Sequence, residues 1–188
     1  GRTFGVSKSD TKIVVLVDVP PGGEVPPEAW ADRLLLAQEW EASLTKAYPG
    51  KNVQLIEYDA TGVHNADLPR WGRIRSSGAV ALLDLEISTA DIVLALTQYS
   101  ATAPLKAAAK KAGFRGATLP GFSRPMTASF NLKVSEVAFR CSVLKKLLSK
   151  ASSAELVFEV DGSIGYALRI DFPIRIIAEI GRASCRER

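Results

Sequence analysis

The sequence has very few of the side chains that most often form catalytic or metal-binding sites. Its 188 residues include one histidine, His64, and two cysteines, Cys141 and Cys185. A zinc site needs three or four clustered ligands, and a Ser–His–Asp or Cys–His arrangement needs a positioned histidine. His64 lies in a polar stretch with no recognisable partner. The sequence therefore predicts neither a metal site nor a catalytic nucleophile among its own residues.

Charge and hydropathy argue against two classes of partner. The formal charge is +4, and the basic residues are dispersed, whereas a nucleic-acid surface needs a basic patch with aromatic platforms. The longest apolar stretch, 79–96, is interrupted by Asp84, Glu86 and Asp91, so it does not predict a membrane-spanning helix. Outside the last ten residues Cys141 is the one cysteine, so no internal disulfide is expected. We predict a cytoplasmic protein that binds neither nucleic acid nor membranes.

The last ten residues look foreign to the protein. Glu179 to Arg188 match what a common sequencing adapter spells when it is read as protein. Residues of that origin carry no information about the fold. We therefore expect the natural reading to stop near Ala178, and we expect Gly1 to be an internal start. On this interpretation the chain is a piece of a longer gene product.

Short β-branched runs alternate with helical patterns over the first 150 residues. This alternation is typical of an α/β fold, here an open, mostly parallel sheet with flanking helices in a Rossmann-like three-layer arrangement. Residues 59–77 are polar and predict a long connection with at most one helical turn, and 79–88 favours a helix over a strand. The strands are predicted at 12–19, 53–58, 92–97 and 115–119, and the other helices at about 27–48, 102–112 and 131–150.

The pattern changes near residue 153. Two strand-like runs, 155–160 and 166–172, follow each other across Asp161-Gly162, which is a hairpin-type turn. Adjacent strands without a helix between them indicate a different architecture from the preceding part. We predict an N-terminal α/β domain at 1–152, the truncated beginning of a second, strand-rich domain at 153–178, and adapter sequence at 179–188.

Polar residues follow the third and fourth predicted strands, at the edge where open parallel sheets bind ligands. Thr97, Ser100 and Thr102 lie between a strand and a helix start, and Pro120 and Gly121 close the next strand. Amides at a helix start can receive an anionic group. We predict that these five residues line a cleft. The alternative is purely structural, with Thr102 as the residue that caps the helix.

The segment from Ala90 to Met126 carries a series of short signatures. A strand of the type A-D-x-V ends in Leu-Thr and is followed by a serine, an Ala-rich helix, A-G-x-R, and a strand ending in Leu-Pro-Gly. The residues are Ala90, Asp91, Val93, Leu96-Thr97, Ser100, Ala112-Gly113, Arg115, Leu119-Pro120-Gly121 and Met126. This segment resembles the N-terminal domain of the aminopeptidase T-like, or thermophilic metalloprotease, family of leucyl aminopeptidases. The stretch 155–169 is similar to the region where that family begins its second domain.

The resemblance implies an enzyme that removes N-terminal residues from peptides. In the complete protein it implies two divalent metal ions, zinc, cobalt or similar, held by Glu, His and Asp residues of the C-terminal domain, and a homodimer. No position of this sequence matches those ligand motifs, so the chain itself is expected to hold no cofactor and to be inactive. Family members often carry a His-Thr pair after the serine, where this chain has Ala103-Pro104.

Two other functions stay open from the sequence. An independent Rossmann-like module would hold a nucleotide or another anion at the edge formed by Thr97 to Thr102. A non-catalytic relative would keep the scaffold for assembly alone. Gene sequence downstream of residue 178 discriminates among the three. Metal ligands arriving there favour the peptidase, whereas a stop codon or an unrelated domain favours the others.

Overall fold

The computed structural model describes residues 5–131 and 133–171, and these divide into two compact units after Asn131. Unit 1 is described over 5–131 and unit 2 over 133–171. The long helix that follows the division belongs to unit 2, whereas the sequence analysis placed it in the N-terminal domain. The predicted domain ranges 1–152 and 153–178 stay predictions, and the adapter range 179–188 lies outside the described residues.

Unit 1 is built on one six-stranded sheet with the strand order β4-β3-β2-β1-β5-β6. Neighbouring strands from β2 through β1 and β5 to β6 are parallel, and β3 and β4 are added antiparallel at one edge. A mixed α/β unit with a mostly parallel sheet is thereby confirmed. The elements are β1 (Lys12–Val19), α1 (Glu28–Ala47), β2 (Asn52–Asp59), β3 (Trp71–Ile74), β4 (Val80–Leu82), α2 (Leu83–Ser88), β5 (Ile92–Ala95), α3 (Thr102–Ala112) and β6 (Arg115–Thr118).

The sheet of unit 1 is covered by helices on both faces. In β1 the side chains alternate between two apolar cores: Val14 and Leu16 pack in the core that contains α2 and α3 residues, whereas Val15 and Val17 pack in the core that contains α1 residues. All four are at most 1% exposed. A strand buried on both faces reads as a continuous apolar run, which is why the sequence of β1 showed no alternation.

The ends of the helices follow ordinary backbone preferences. α1 begins directly after Pro27, whose fixed φ suits a helix start, and α3 ends at Gly113. Gly113 has φ 85° and donates its amide to the Ala109 carbonyl at 2.8 Å, which is a left-handed C-terminal cap. A residue with a Cβ atom would be strained at this backbone conformation.

Of two predictions between residues 59 and 88, one is wrong and the other is confirmed only in part. β3 (Trp71–Ile74) lies inside the stretch predicted as a connection, and 79–88 is a helix only from Leu83, after the three residues of β4. The sequence of β3 lacks the usual strand pattern, because Gly72 stands where an apolar side chain would be expected. No side chain fits there, since a Cβ atom would lie 2.7 Å from Cγ2 of the buried Ile56. β3 therefore approaches its neighbours with backbone where a strand usually has an apolar side chain.

Unit 2 consists, in its described part, of α4 (Val134–Leu148) and the antiparallel hairpin of β7 (Ser153–Val160) and β8 (Ser163–Asp171). Asp161 and Gly162 have φ of 52° and 77°, so the predicted turn is confirmed and has left-handed residues at both central positions. The register places one row of apolar residues on a single face of the hairpin. Its members are Ala154, Leu156, Phe158, Tyr166, Leu168 and Ile170, and the five larger ones are 40–75% exposed.

None of the helices in the described ranges combines the length and the apolar character needed to cross a bilayer. The longest described helix of unit 1, α1, has 20 residues, enough to span a hydrocarbon core. It carries six charged residues, however, including Asp32, Arg33 and Glu39.

Asp91 ties the start of β5 to the start of β1. Its Oδ2 accepts hydrogen bonds from the Thr11 amide at 2.7 Å, the Lys12 amide at 3.0 Å and the Thr11 hydroxyl at 3.1 Å. Burial alone would raise the pKa of Asp91, but the hydrogen bonds from Thr11 and Lys12 outweigh it and hold the pKa below its usual value. The carboxylate thus satisfies backbone donors at the amino edge of the sheet.

We expect Asp91→Asn to lower the free energy of unfolding by about 1–2 kcal/mol at pH 7, because a neutral amide is a weaker acceptor than a carboxylate. A lowered folded pKa contributes stability above the ordinary value of 3.8, and this contribution is lost as pH falls through the folded value. The difference in the free energy of unfolding between the unsubstituted protein and Asp91→Asn should therefore narrow below pH 3.8. Urea unfolding at neutral and acid pH measures it, with Asp67→Asn in an exposed loop as control. A gap that is constant with pH would contradict this role.

Candidate functional site

The carboxyl ends of β1 and β5 form the point where the direction of the strand order reverses. The chain leaves β1 toward β2 on one side and returns to β5 on the other. In open α/β sheets the loops after two such strands diverge and leave a crevice in which ligands bind. Here the facing segments are the end of β1 at Asp18 and the loop after β5, which runs from Leu96 to Ala101.

Asp18 is the central polar residue of this edge and is fully buried. Its Oδ1 accepts the Gln98 amide at 2.6 Å, and its Oδ2 accepts the Tyr99 amide at 2.9 Å. The indole Nε1 of Trp30 donates to the Asp18 carbonyl at 2.9 Å, and the Trp30 ring meets the Tyr99 ring edge-on with centroids 6.1 Å apart. Both carboxylate oxygens are acceptors, so this geometry suits the ionised form.

Arg33 supplies the opposite charge. The side chain is 4% exposed, its Nε donates to the Phe122 carbonyl at 3.1 Å, and its guanidinium donates to Oε1 of Gln98 at 2.7 Å. Burial raises the pKa of Asp18 above its usual value, and the amides of Tyr99 and Gln98 together with the charge of Arg33 oppose that rise. Burial likewise lowers the pKa of Arg33, against the attraction of Asp18. Gln98 links the two groups, because its amide donates to Asp18 and its Oε1 accepts from Arg33.

A second network joins the loop after β2 to the loop after β5. Nδ1 of His64 accepts the Ser100 amide at 2.9 Å, and the His64 and Tyr99 rings lie 5.6 Å apart. Asn65 has φ 62° and donates its amide to the Ser100 carbonyl at 2.7 Å. Oδ1 of Asn65 accepts the Ser100 hydroxyl at 3.1 Å and the Ala103 amide at 3.0 Å. His64 therefore has a structural partner, and its Nδ1 is occupied.

The N-terminus of α3 is closed by these residues. The prediction that Thr102 caps the helix is wrong, because Thr102 is its first helical residue and Ala101 occupies the cap position. Ser100 Oγ accepts the Thr102 amide at 3.3 Å, Asn65 accepts the Ala103 amide, and Pro104 has no amide hydrogen. A helix start normally offers unpaired amides to an anion, but none is left unpaired at these three positions.

The predicted cleft residues occupy this edge in different ways. Ser100 and Thr102 are exposed or half-exposed and share a hydrogen bond of 3.0 Å, and Thr102 contacts the Thr118 hydroxyl at 2.7 Å. Thr97 is fully buried, its carbonyl accepts the Gly121 amide at 2.8 Å, and its hydroxyl has no hydrogen-bond partner among the described residues. Pro120 and Gly121 follow β6. That these five residues line a ligand cleft stays a prediction.

The described residues do not fit a metal ion. No three His, Cys, Asp or Glu side chains within 5–131 and 133–171 are grouped so that they could hold one. The most buried carboxylate, Asp18, is held by two amides, and Nδ1 of the single histidine accepts a backbone amide. A catalytic zinc site needs three protein ligands. No catalytic step through a metal is therefore assigned to these residues.

Sequence reasoning missed Asp18, Arg33 and the pair His64–Asn65 as organisers of this edge. For Asp18 a signal was present, because it is the one charged residue between valines at the end of a buried strand. Arg33 also had one, since it lies three residues after Trp30 and four before Ala37, on the apolar side of α1. Asn65 gave none, because a polar residue in a polar loop does not reveal its distant partner.

We expect Asp18→Asn to lower the free energy of unfolding by about 3 kcal/mol, because it removes one amide acceptor and the stronger in effect of the two negative charges, Asp18 and Asp32, that act on the buried Arg33. The matched control is Asp59→Asn, the same substitution at the exposed end of the neighbouring strand β2, which should change stability by less than about 0.5 kcal/mol. Urea unfolding of the three proteins measures both values. Equal stabilities for the two variants would show that Asp18 does not organise the edge.

Comparison with known proteins adds no relative to this description. No family model matches the chain, and no curated protein or solved structure matches it either. Function is therefore inferred from the geometry of the described units and from the resemblance noted in the sequence.

Proposed function

We propose that this chain is the N-terminal part of a metal-dependent, aminopeptidase-like hydrolase that removes N-terminal residues from peptides. Unit 1 serves in this proposal as a Rossmann-like structural domain, and unit 2 as the beginning of the second domain. The observation that carries the proposal is the state of the carboxyl edge of the sheet. Its donors and its buried carboxylate are engaged within the protein, which suits a scaffold better than a reactive site.

The occupied donors at this edge support a structural role. Five amides of the loop and helix start after β5 each donate to a side chain of the same unit, namely those of Gln98, Tyr99, Ser100, Thr102 and Ala103. An anion arriving here would have to displace one of these acceptors. It would also approach the negative charge of Asp18. Both effects disfavour the alternative in which this edge is an anion- or nucleotide-binding module.

The hairpin of unit 2 supports a second domain that is larger than the described residues. An isolated two-stranded hairpin is marginally stable in water, and three or more strands or a packed helix are needed for independent stability. Phe158, Tyr166 and Leu168 are at least half exposed on one face of this hairpin. We propose that further strands of the complete protein cover this face.

In the complete protein we propose two divalent metal ions, zinc, cobalt or similar, bound by residues of that second domain. When bound, such ions polarise a peptide carbonyl and lower the pKa of a bound water. The chain described here contributes the wall of the cleft at the carboxyl edge of its sheet, where Ser100, Thr102, Pro120 and Gly121 would face the substrate and the fully buried Thr97 would lie behind them. A peptide substrate, a homodimer and a cytoplasmic location complete the proposal.

The purified 188-residue chain should not release nitroaniline from leucyl-p-nitroanilide, with or without added Zn²⁺ or Co²⁺, because its described residues do not assemble a metal site. The comparison is the same gene extended downstream of residue 178, which should hydrolyse the substrate in a metal-dependent way. Turnover by the short chain that a chelator abolishes would place the ligands within these 188 residues. A metal-loaded, folded long chain without activity would refute the peptidase proposal.

The binding-module alternative has its own test at the α3 N-terminus. Because the Thr102 and Ala103 amides are already paired, we expect inorganic phosphate to cause no saturable shift of the amide signals of residues 98–103 in an NMR titration. Thr102→Ala should give the same null result, since Ser100 and not Thr102 accepts the first helical amide. Saturable shifts that Thr102→Ala removes would favour the anion-binding module over the scaffold.

A further inference from the structure

Unit 1 contains a cavity of about 550 Å³ against one side of α3. It opens between α2 and α3, and residues 67–70, which precede β3, contribute to its wall. This volume falls in the range of sites that hold small molecules. None of the predicted cleft residues lines it. The cavity is therefore a separate feature of unit 1.

The cavity exists because one face of α3 carries small side chains. Pro104, Ala107, Ala108 and Lys111 line it, at spacings of three, four and seven residues from Pro104, which places them on one side of the helix. α2 and α3 pack on the same apolar core through Ile87, Leu105 and their neighbours. Methyl groups at positions 107 and 108 leave open the space that a larger side chain would fill. The result is an apolar floor between two helices.

The rim of the cavity carries two negative and two positive side chains: Asp67, Asp84, Arg70 and Lys111. None of these four makes an ion pair with another described residue, although other charges of the unit are paired, for example Lys12 with Glu86 at 2.5 Å. Arg70 lies over the Trp71 ring at 5.2 Å, a contact that leaves the charge of its guanidinium without an acidic partner. An apolar floor with balanced, unpaired charges at the rim complements a ligand that carries both charges and an apolar body.

We propose that this cavity binds a small zwitterion with an apolar side chain, either a free amino acid or a short peptide. The ligand ammonium pairs with the acidic side chains Asp67 and Asp84, and its carboxylate pairs with Arg70 and Lys111. The apolar side chain lies on the floor formed by Ile87 and Ala108. A nucleotide fits less well, because the rim has no excess of positive charge. The inference does not rest on the proposed peptidase function.

Four ligands test the charge requirement by NMR titration of the 188-residue chain. L-leucine carries both charges, N-acetyl-leucine lacks the ammonium, leucinamide lacks the carboxylate, and leucyl-leucine is the peptide. We expect L-leucine or leucyl-leucine to shift the signals of cavity residues saturably. The ligand that does so should bind about fivefold more tightly than N-acetyl-leucine and leucinamide, since each exposed ion pair contributes roughly 1 kcal/mol at most. Whichever of L-leucine and leucyl-leucine binds more tightly shows whether the ligand is a free amino acid or a short peptide. Equal binding of all four, or no saturable shift by any, would overturn the proposal.

A matched pair of variants tests the location. Lys110 and Lys111 are adjacent, exposed and in the last turn of α3, but only Lys111 lines the cavity. Lys111→Gln should weaken binding of L-leucine about fivefold, whereas Lys110→Gln should leave it unchanged. Ala107→Phe fills the cavity from an exposed helical position and should abolish binding, with folding verified by circular dichroism. Equal effects of the two lysine variants, or full binding by folded Ala107→Phe, would refute the site.

Discussion

The carboxylate of Asp18 joins the two halves of unit 1. It sits at the end of β1 and accepts the amides of Gln98 and Tyr99, which lie 80 and 81 residues further along the chain. These bonds hold the loop after β5 against β1, and that loop in turn receives His64 and Asn65 from the loop after β2. The geometry of the whole edge, including the start of α3, depends on this one buried charge and on the Arg33 that balances it.

The sequence of this edge has the polar residues of a ligand site. In the structure, those residues hold the loops of the edge together. Polar residues after buried parallel strands are typical of a binding crevice, and Thr97, Ser100 and Thr102 fit that pattern. Their donors and those of their neighbours, however, are largely used to pair the loops with each other. A buried charge network of this kind fixes one arrangement of its loops, because any other arrangement would leave buried polar groups unpaired.

The two units differ in how far they satisfy their own apolar surface. In unit 1 the side chains of β1 are buried on both sides of the sheet, and α1, α2 and α3 cover the cores. In unit 2 the hairpin keeps Leu156, Phe158 and Tyr166 exposed on one face. Apolar surface of this kind marks a place where other parts of a protein pack. Within the described residues, unit 1 thus buries both faces of its central strand, whereas the hairpin of unit 2 leaves one face exposed.

Local sequence determined the elements whose signals are local. The β-branched run of β1, the helix α3 between Thr102 and its cap at Gly113, and the hairpin turn at Asp161-Gly162 each depend on residues within a few positions of one another. β3 escaped prediction, because Gly72 buries backbone in place of an apolar side chain and so breaks the pattern.

Tertiary structure alone decided how these elements meet. Sheet order brings Asp18 to the amides after β5, and it brings Asn65 to the start of α3, where Asn65 and Ser100 take the role expected of Thr102. It also sets α2 against α3 so that the methyl groups of Ala107 and Ala108 leave a cavity. Each of these contacts joins segments that are far apart along the chain. Backbone preferences act over a few residues, so no local pattern specifies which distant acceptor a given amide will find.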